Sequence, residues 1–322
     1  MIVREARLEV ADLPPARGHL ARAWSRLVRK KLAVIAVATL VVVYLVGMLA
    51  PVISPYGYAE LDYSAFGTEA PSLEHLAGAD RAGRDVLTRV FWGIQNTLVL
   101  TFISMVTGGL VIGVALGLIS GYFGGRIDAV INRTGEVFSA FPEVLLMIII
   151  AATLRPRLRL WVHWIEDNTF IDGLIQTGIV DYLVVTIALV SFSWFGMTRL
   201  VRGQVLVLKE LQYVDAARAL GASTSRILFV HLLPNAISPI VVTVSMGMGS
   251  MIGAEIILSW LGIGIQPPRP SLGRMLLDAG NLAALQQQWW LLLAPGGAAF
   301  LMVLAWNLLG DALSDVLNPR TR

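Results

Sequence analysis

No cysteine occurs among the 322 residues. That excludes disulfides, thiolate-held metals and cysteine nucleophiles, and leaves the redox compartment open. Histidine is scarce too: His19, His75, His163 and His231 lie far apart, with no HExxH-type metal spacing. Only three lysines occur (Lys30, Lys31 and Lys209), and none follows a glycine. A G-x-x-x-x-G-K-[ST] phosphate loop is therefore absent, so no nucleotide hydrolysis by that route is expected of this chain. Charged residues make up 15% of the chain, against about 25% in soluble domains. Metal-dependent and nucleophile-driven hydrolases lack their usual parts here, and no basic nucleic-acid patch stands out.

What is present is apolar. Hydrophobic residues reach 56%, which on a water-soluble surface would leave large sticky patches. The lipid bilayer is the expected solvent. A hydrocarbon core of about 30 Å needs about 20 apolar helical residues. Six spans are predicted: Leu32–Ile53, Trp92–Gly121, Ala129–Leu154, Tyr182–Leu200, Ala236–Ile263 and Gln288–Leu309. The expected fold class is an all-α, polytopic membrane protein of six helices. Its predicted organisation is a basic tail (1–31), a first span (32–53), an external segment (54–91), a five-helix core (92–310) holding a loop at 201–235, and a second tail (311–322).

Orientation follows from lysine and arginine in the flanks. Eight basic residues precede the first span: Arg4, Arg7, Arg17, Arg22, Arg26, Arg29, Lys30 and Lys31. Together with the alternate connections and Arg320 and Arg322, one side carries 17 and the other 8. The richer side is read as cytoplasmic, with both termini there. The basic tail is too long for an ordinary cleaved signal peptide, so an uncleaved anchor is expected. Trp92, Trp161, Trp164, Trp194, Trp289, Trp290 and Trp306 fall near span ends, where an interfacial belt or ordinary packing would place them.

Within the second span, Gly109, Gly113, Gly117, Gly121 and Gly125 recur every four residues. Such a stripe lets another backbone approach closely. It serves either tight packing within one subunit or a sliding surface at a gate or interface. Gly247, Gly249 and Gly253 repeat the theme in the fifth span. Pro142 is expected to bend the third span. Glu255 is the one acid deep in a predicted span, which makes it a functional candidate by default. Counting from Ala236 places it about 29 Å along the helix, where a structural hydrogen bond at the outer rim competes with ion coupling. Glu136 and Glu143 near the inner end of the third span invite the same reading.

Between the fourth and fifth spans runs YVDAARALGASTSRILFVHLLPN, from Tyr213 to Asn235. Tyr213–Leu220 has helical propensity, and Asp215 suits a helix start. Val214, Ala217 and Gly221 share a narrow face of small side chains. Gly221 is expected to end this helix in the left-handed region. Ser223 can cap a second short helix through Leu232, and Pro234 fits the first turn of the next span. The expected loop is two short helices meeting at an elbow. Either a partner docks on it, or it lies passively on the inner leaflet.

DAARALG followed by LLP resembles the EAA loop of ABC importer permeases. Asp215, Ala216, Ala217, Gly221, Leu233 and Pro234 fall in that register, with Tyr213, Arg218 and Ala222 beside them. Asp215 replaces the usual Glu, and His231 stands where the general pattern has Ile. GRDVLTRVFWG (Gly83–Gly93), GYFGGRID (Gly121–Asp128), VFSAFPEVLL (Val137–Leu146) and LSWLGIGIQPPRPSLGRML (Leu258–Leu276) resemble the dipeptide/oligopeptide/nickel permease family. EHLAGAD (Glu74–Asp80) matches that family only in part. The connection Arg155–Asp181 looks long, and its RPRLRLWVHWIED could form a basic surface helix.

The resemblance implies a type I ABC importer permease with no cofactor of its own. Partner ATPases would hold ATP and Mg. Its implied partners are a second permease chain, two cytoplasmic ATPases each receiving one EAA loop, a solute-binding protein outside, and membrane lipid, with no nucleic acid. The implied location is a bacterial or archaeal plasma membrane, and the cargo di- or oligopeptides, with nickel and oligosaccharides carried by near relatives. An ion-coupled secondary transporter would want midspan carboxylates or inverted repeats, and the sequence offers only Glu255.

Overall fold

The computed structural model describes residues 25–67, 69–280 and 286–317. Arg4, Arg7, Arg17 and Arg22 of the predicted basic tail, and Arg320 and Arg322 at the other end, lie outside them. Among the described residues the fold is helical throughout, without strands. One isolated bridge joins Ala79 to Asp85. Five helices are long and apolar enough to cross a membrane: α1 (Lys31–Met48), α3 (Val86–Phe123), α6 (Ile179–Leu208), α8 (Thr224–Trp260) and α10 (Trp290–Leu317). A short turn, α2 (Ala50–Ile53), follows α1, and α9 (Leu272–Ala279) lies between α8 and α10. Past Lys31, the side chains that α1 exposes, among them Leu32, Ile35 and Val42, are apolar, as contact with lipid tails requires.

The third predicted span is corrected. It is not one kinked helix over Ala129–Leu154 but two helices, α4 (Gly125–Ser139) and α5 (Glu143–Asn168), bent by 92° at the break. Pro142 lacks an amide donor, its ring disfavours a helical Phe141, and its own ψ of 120° is extended, so the α4 ladder does not continue. Beyond the break the helix restarts at Glu143. The basic stretch after Arg155 is also corrected. It continues α5 to Asn168 instead of forming a separate surface helix, which leaves only residues 169–178 to reach α6. Arg155 holds this end together through Asp181 (3.2 Å) at the start of α6 and the carbonyl of Gly264 (2.9 Å) after α8.

α3 and α6 pack with almost no space between backbones. A Cβ on Gly113, Gly117 or Gly121 would lie 2.6–2.7 Å from the Cβ of Met197, Val201 or Val205 on α6. The glycine stripe is thus filled by α6 of the same chain. Gly125 is not part of it: it is the first residue of α4, with φ +54° and open space around it. The stretch Met105–Gly113 of α3 winds as a wide π-helical segment, and the Thr198 hydroxyl caps the Gly113 carbonyl at 3.1 Å. In the fifth span Gly249 meets Asn307 of α10, whereas Gly253 faces open space.

The segment between α2 and α3 is irregular but internally pinned. Asp85 caps α3 by accepting from the Thr88 amide (2.7 Å) and holds His75 Nδ1 at 3.0 Å. His75 Nε2 lies 3.3 Å from Asp62, its ring packs on Tyr56, and it is 1% exposed. Gly83, at φ +73°, passes so close to Asp62 that a Cβ would lie 2.1 Å from its carbonyl oxygen. Hydrogen bonds from the Ser64 hydroxyl and amide hold the Asp62 carboxyl below its ordinary range, with His75 adding to them. Burial pushes the His75 imidazole down, but the bonds to Asp85 and Asp62 more than offset this and leave it raised.

Two outcomes follow from this packing. Gly117→Ala should lower the thermal midpoint of the purified protein, by overpacking worth roughly 1–3 kcal/mol, while Gly253→Ala should leave it unchanged; differential scanning fluorimetry checks both. A histidine raised in the folded state contributes fully below its ordinary pKa of about 6.5, and that contribution is lost as pH rises through the raised value. Hydrogen exchange across residues 62–85, corrected for intrinsic rates, should therefore speed up as pH rises above the ordinary histidine range. His75→Gln should remove that dependence.

Candidate functional site

The connection between α6 and α8 emerges from one end of the α3–α6 pair. α6 runs eight residues beyond its predicted end, to Leu208. There the Lys209 ammonium donates to the Gly121 carbonyl (3.0 Å) at the end of α3. A short helix, α7 (Gln212–Ala219), follows. It stops as the sequence suggests: Gly221 takes φ +78°, its amide donates to Arg218 O (2.9 Å), and the Ala222 amide donates to Ala217 O (3.0 Å). That pair of bonds is a Schellman ending, which closes the last carbonyls of the helix. Ser223 then caps the next helix through the Arg226 amide (3.4 Å).

The second arm of the elbow differs from expectation. It is not a separate short helix but the first turns of α8, continuous from Thr224 to Trp260. Residues Ile227–Leu232 wind as π-helix just before Leu233–Pro234. Pro234 withdraws one donor from the ladder, and a wide turn accommodates the carbonyl left over.

The inner face of α7 also differs. Val214 is fully buried and Ala217 8% exposed, both turned into their own chain. Val214 joins Ile227, Leu228 and Leu232 of α8 and Val201 and Val205 of α6 in one apolar cluster. These small side chains anchor the elbow to the membrane body and are closed to a partner. Tyr213 sits beside His231 and within 3.4 Å of the Asn235 amide group. Arg218 pairs with Asp215 (3.1 Å) and lies 5.6 Å over the Tyr122 ring of α3. The outward face carries Asp215, Ala216, Ala219, Gly221 and Leu220, and Leu220 is 88% exposed at the tip. Leu233 is half-buried and Pro234 exposed.

A polar pin beside the elbow escaped the sequence reading. Arg202 of α6 grips Asp128 of α4 with two bonds of 2.6 Å, and Ser120 and Asn132 also donate to that carboxylate. A planar guanidinium fits a carboxylate in this two-pronged way. α4, α3 and α6 are thereby tied at the end where α7 is anchored.

Two further features lie within the bundle. Glu255 is fully buried and joins α8 to α3 by accepting from Thr97 (2.8 Å) and Ser259 (2.7 Å); these bonds satisfy it as a structural group. Between α3, α5, α6 and α8 lies a cavity of about 460 Å³, within the range of small-molecule sites. Met105, Met147, Met197 and Met251 contribute to its wall, and Glu143 is its one ionisable lining residue. Among the described residues no group of three or more metal-binding side chains gathers.

Comparison with known proteins gives the same picture. Residues 113–322 match the model of the binding-protein-dependent transport system inner membrane component, and residues 19–71 match the N-terminal TM domain of oligopeptide transport permease C. The chain is 36% identical over 300 residues to a dipeptide transport system permease protein of Alkalihalophilus pseudofirmus, covering 93% of this chain and 90% of the relative. It is 35% identical over 319 residues to a glutathione transport system permease protein of Pectobacterium atrosepticum, covering 97% of each. An oligopeptide transport system permease protein of Bacillus subtilis is 34% identical over 292 residues, covering 91% of this chain and 87% of the relative. With its membrane helices, its anchored elbow and these matches over most of its length, the chain is a multi-pass membrane permease subunit and belongs to the binding-protein-dependent transport system inner membrane component family.

Proposed function

We propose that this chain forms half of the pathway of an ATP-driven importer for small peptides, docking through its α6–α8 elbow onto a cytoplasmic ATPase. The observation that carries this reading is Leu220: an apolar side chain, 88% exposed, on the tip of a helix whose other face is locked into the membrane body. An exposed leucine on a rigid mount suits a hydrophobic cleft on a partner. The balance of 17 basic residues against 8 supports placing the elbow and both termini in the cytoplasm of a bacterial or archaeal cell. A second permease chain completes the pathway, a solute-binding protein delivers cargo outside, and a pair of ATPases binds ATP and Mg. This chain holds no cofactor.

Coupling is mechanical. ATP binding draws the ATPases together, and the docked elbow moves with them. Val214 and the Asp128–Arg202 pin transmit that movement to α3, α4, α6 and α8. ATP thus biases a two-state pathway between inward and outward access. The relatives named for dipeptides, oligopeptides and glutathione share cargo built on peptide bonds with a free primary amine. We take that class as the cargo here.

Leu220→Asp should leave the thermal midpoint unchanged and weaken co-purification of the ATPase by at least about tenfold, as loss of an interface anchor does. Gly221→Asn, which tolerates the left-handed backbone, should retain assembly, whereas Gly221→Trp should lose it. Because the native chain has no cysteine, Leu220→Cys is a single-site probe. Cross-links from it that reach only lipid would overturn the docking role.

A further inference from the structure

The cavity between α3, α5, α6 and α8 has mostly apolar walls, the hydroxyls of Ser193, Thr243 and Ser250, and a single ionisable group. Methionines from α3, α5, α6 and α8 line it, and their flexible thioethers adapt to varied shapes. At Gly196 of α6 and Gly253 of α8 no atom lies within 4 Å of where a Cβ would sit. Both glycines line the cavity, so their missing side chains are part of its volume. No polar group along these walls could distinguish one peptide side chain from another by charge.

Glu143 is the exception. It is the first residue of α5, immediately after the break at Pro142, so the 92° turn brings it to the cavity. Its side chain is exposed, and neither an ion pair nor a side-chain hydrogen bond ties it to another described residue. The other acid of this region, Glu136 on α4, is paired with Arg133 at 2.9 Å. Position at a helix start accounts for an acid being tolerated there. It does not account for an unpaired carboxylate being the one charge on the wall of an apolar chamber.

We infer that Glu143 binds the primary ammonium group of the cargo peptide as it passes through the cavity, while the methionine walls accept its side chains without selection. This deepens the importer reading and rests on it. An ammonium meeting a carboxylate forms a charge-assisted hydrogen bond. Neutral or N-acylated solutes of the same shape lack it. Glu143 is thus a specificity residue for the amino end, and the open space at Gly196 and Gly253 receives the rest of the molecule.

The test uses the whole nucleotide-free importer complex in nanodiscs, without its solute-binding protein, so that only the permease selects. The probes are a tripeptide with a photoreactive central residue and a free amino terminus, and its N-acetylated twin. After irradiation, mass spectrometry locates the label. In the wild type the free-amine probe should label the cavity residues of α5, α6 and α8 about tenfold more than the acetylated one. Glu143→Gln should equalise the two, and Glu143→Asp should restore the preference. A role confined to the start of α5 would shift both probes together. Gly196→Leu, which fills the chamber, should abolish labelling by both. Equal labelling by the twins in the wild type, or an unchanged ratio in Glu143→Gln, overturns the assignment and leaves the pathway standing. Absence of cavity labelling by either probe overturns the pathway reading and the inference with it.

Discussion

The close approach of α3 to α6 is the constraint on which the other features depend. Three successive glycines remove the side chains that would hold the two helices apart, and Met197, Val201 and Val205 fill the space. In lipid, where apolar surface gains nothing by leaving its surroundings, such van der Waals contact is a main source of helix association. The pair forms a rigid rib. The elbow is fixed to one end of it by Lys209 and the Val214 cluster, and the cavity opens beside its middle.

Polar groups are used sparingly, and two carboxylates with satisfied bonds tie the bundle together. Asp128 with Arg202 ties the rib to α4, and Glu255 with Thr97 and Ser259 ties α3 to α8. A lone unpaired group at such depth is costly, and each of these finds its partners within the chain. Glu143 stands apart because it is exposed and borders the cavity.

Much of this architecture was legible in the sequence, and the failures have physical causes. Five spans could be read directly, because a run of about 20 apolar residues in lipid has helix as its one stable form within a single chain segment. Gly221 and Ser223 announced the elbow through backbone geometry and capping, which are local. The third span misled because hydropathy alone cannot tell a kink from a break. Ala129–Leu154 averages a half-polar helix with an apolar one across Pro142. Val214 and Ala217 were read as sharing a face, which periodicity establishes, but it cannot say which body covers that face. Asp128 and Arg202 are 74 residues apart, a separation no local pattern reports. Leu220 gave no signal, since a leucine within a helical stretch ordinarily reads as core.

The unbroken course of α8 bears on how a stroke is shared. Thirty-seven residues from Thr224 to Trp260 make a beam roughly 55 Å long, longer than the roughly 40–45 Å of a membrane with its headgroups. Its foot is the second arm of the elbow, its middle forms one flank of the cavity, and its head carries Glu255 and Ser259. In the proposed coupling such a beam would pivot about an interior fulcrum, so that a push at the foot would swing the head in the opposite direction. Narrowing on one side of the membrane and widening on the other would then be a single event, with no relay of separate parts to keep in step.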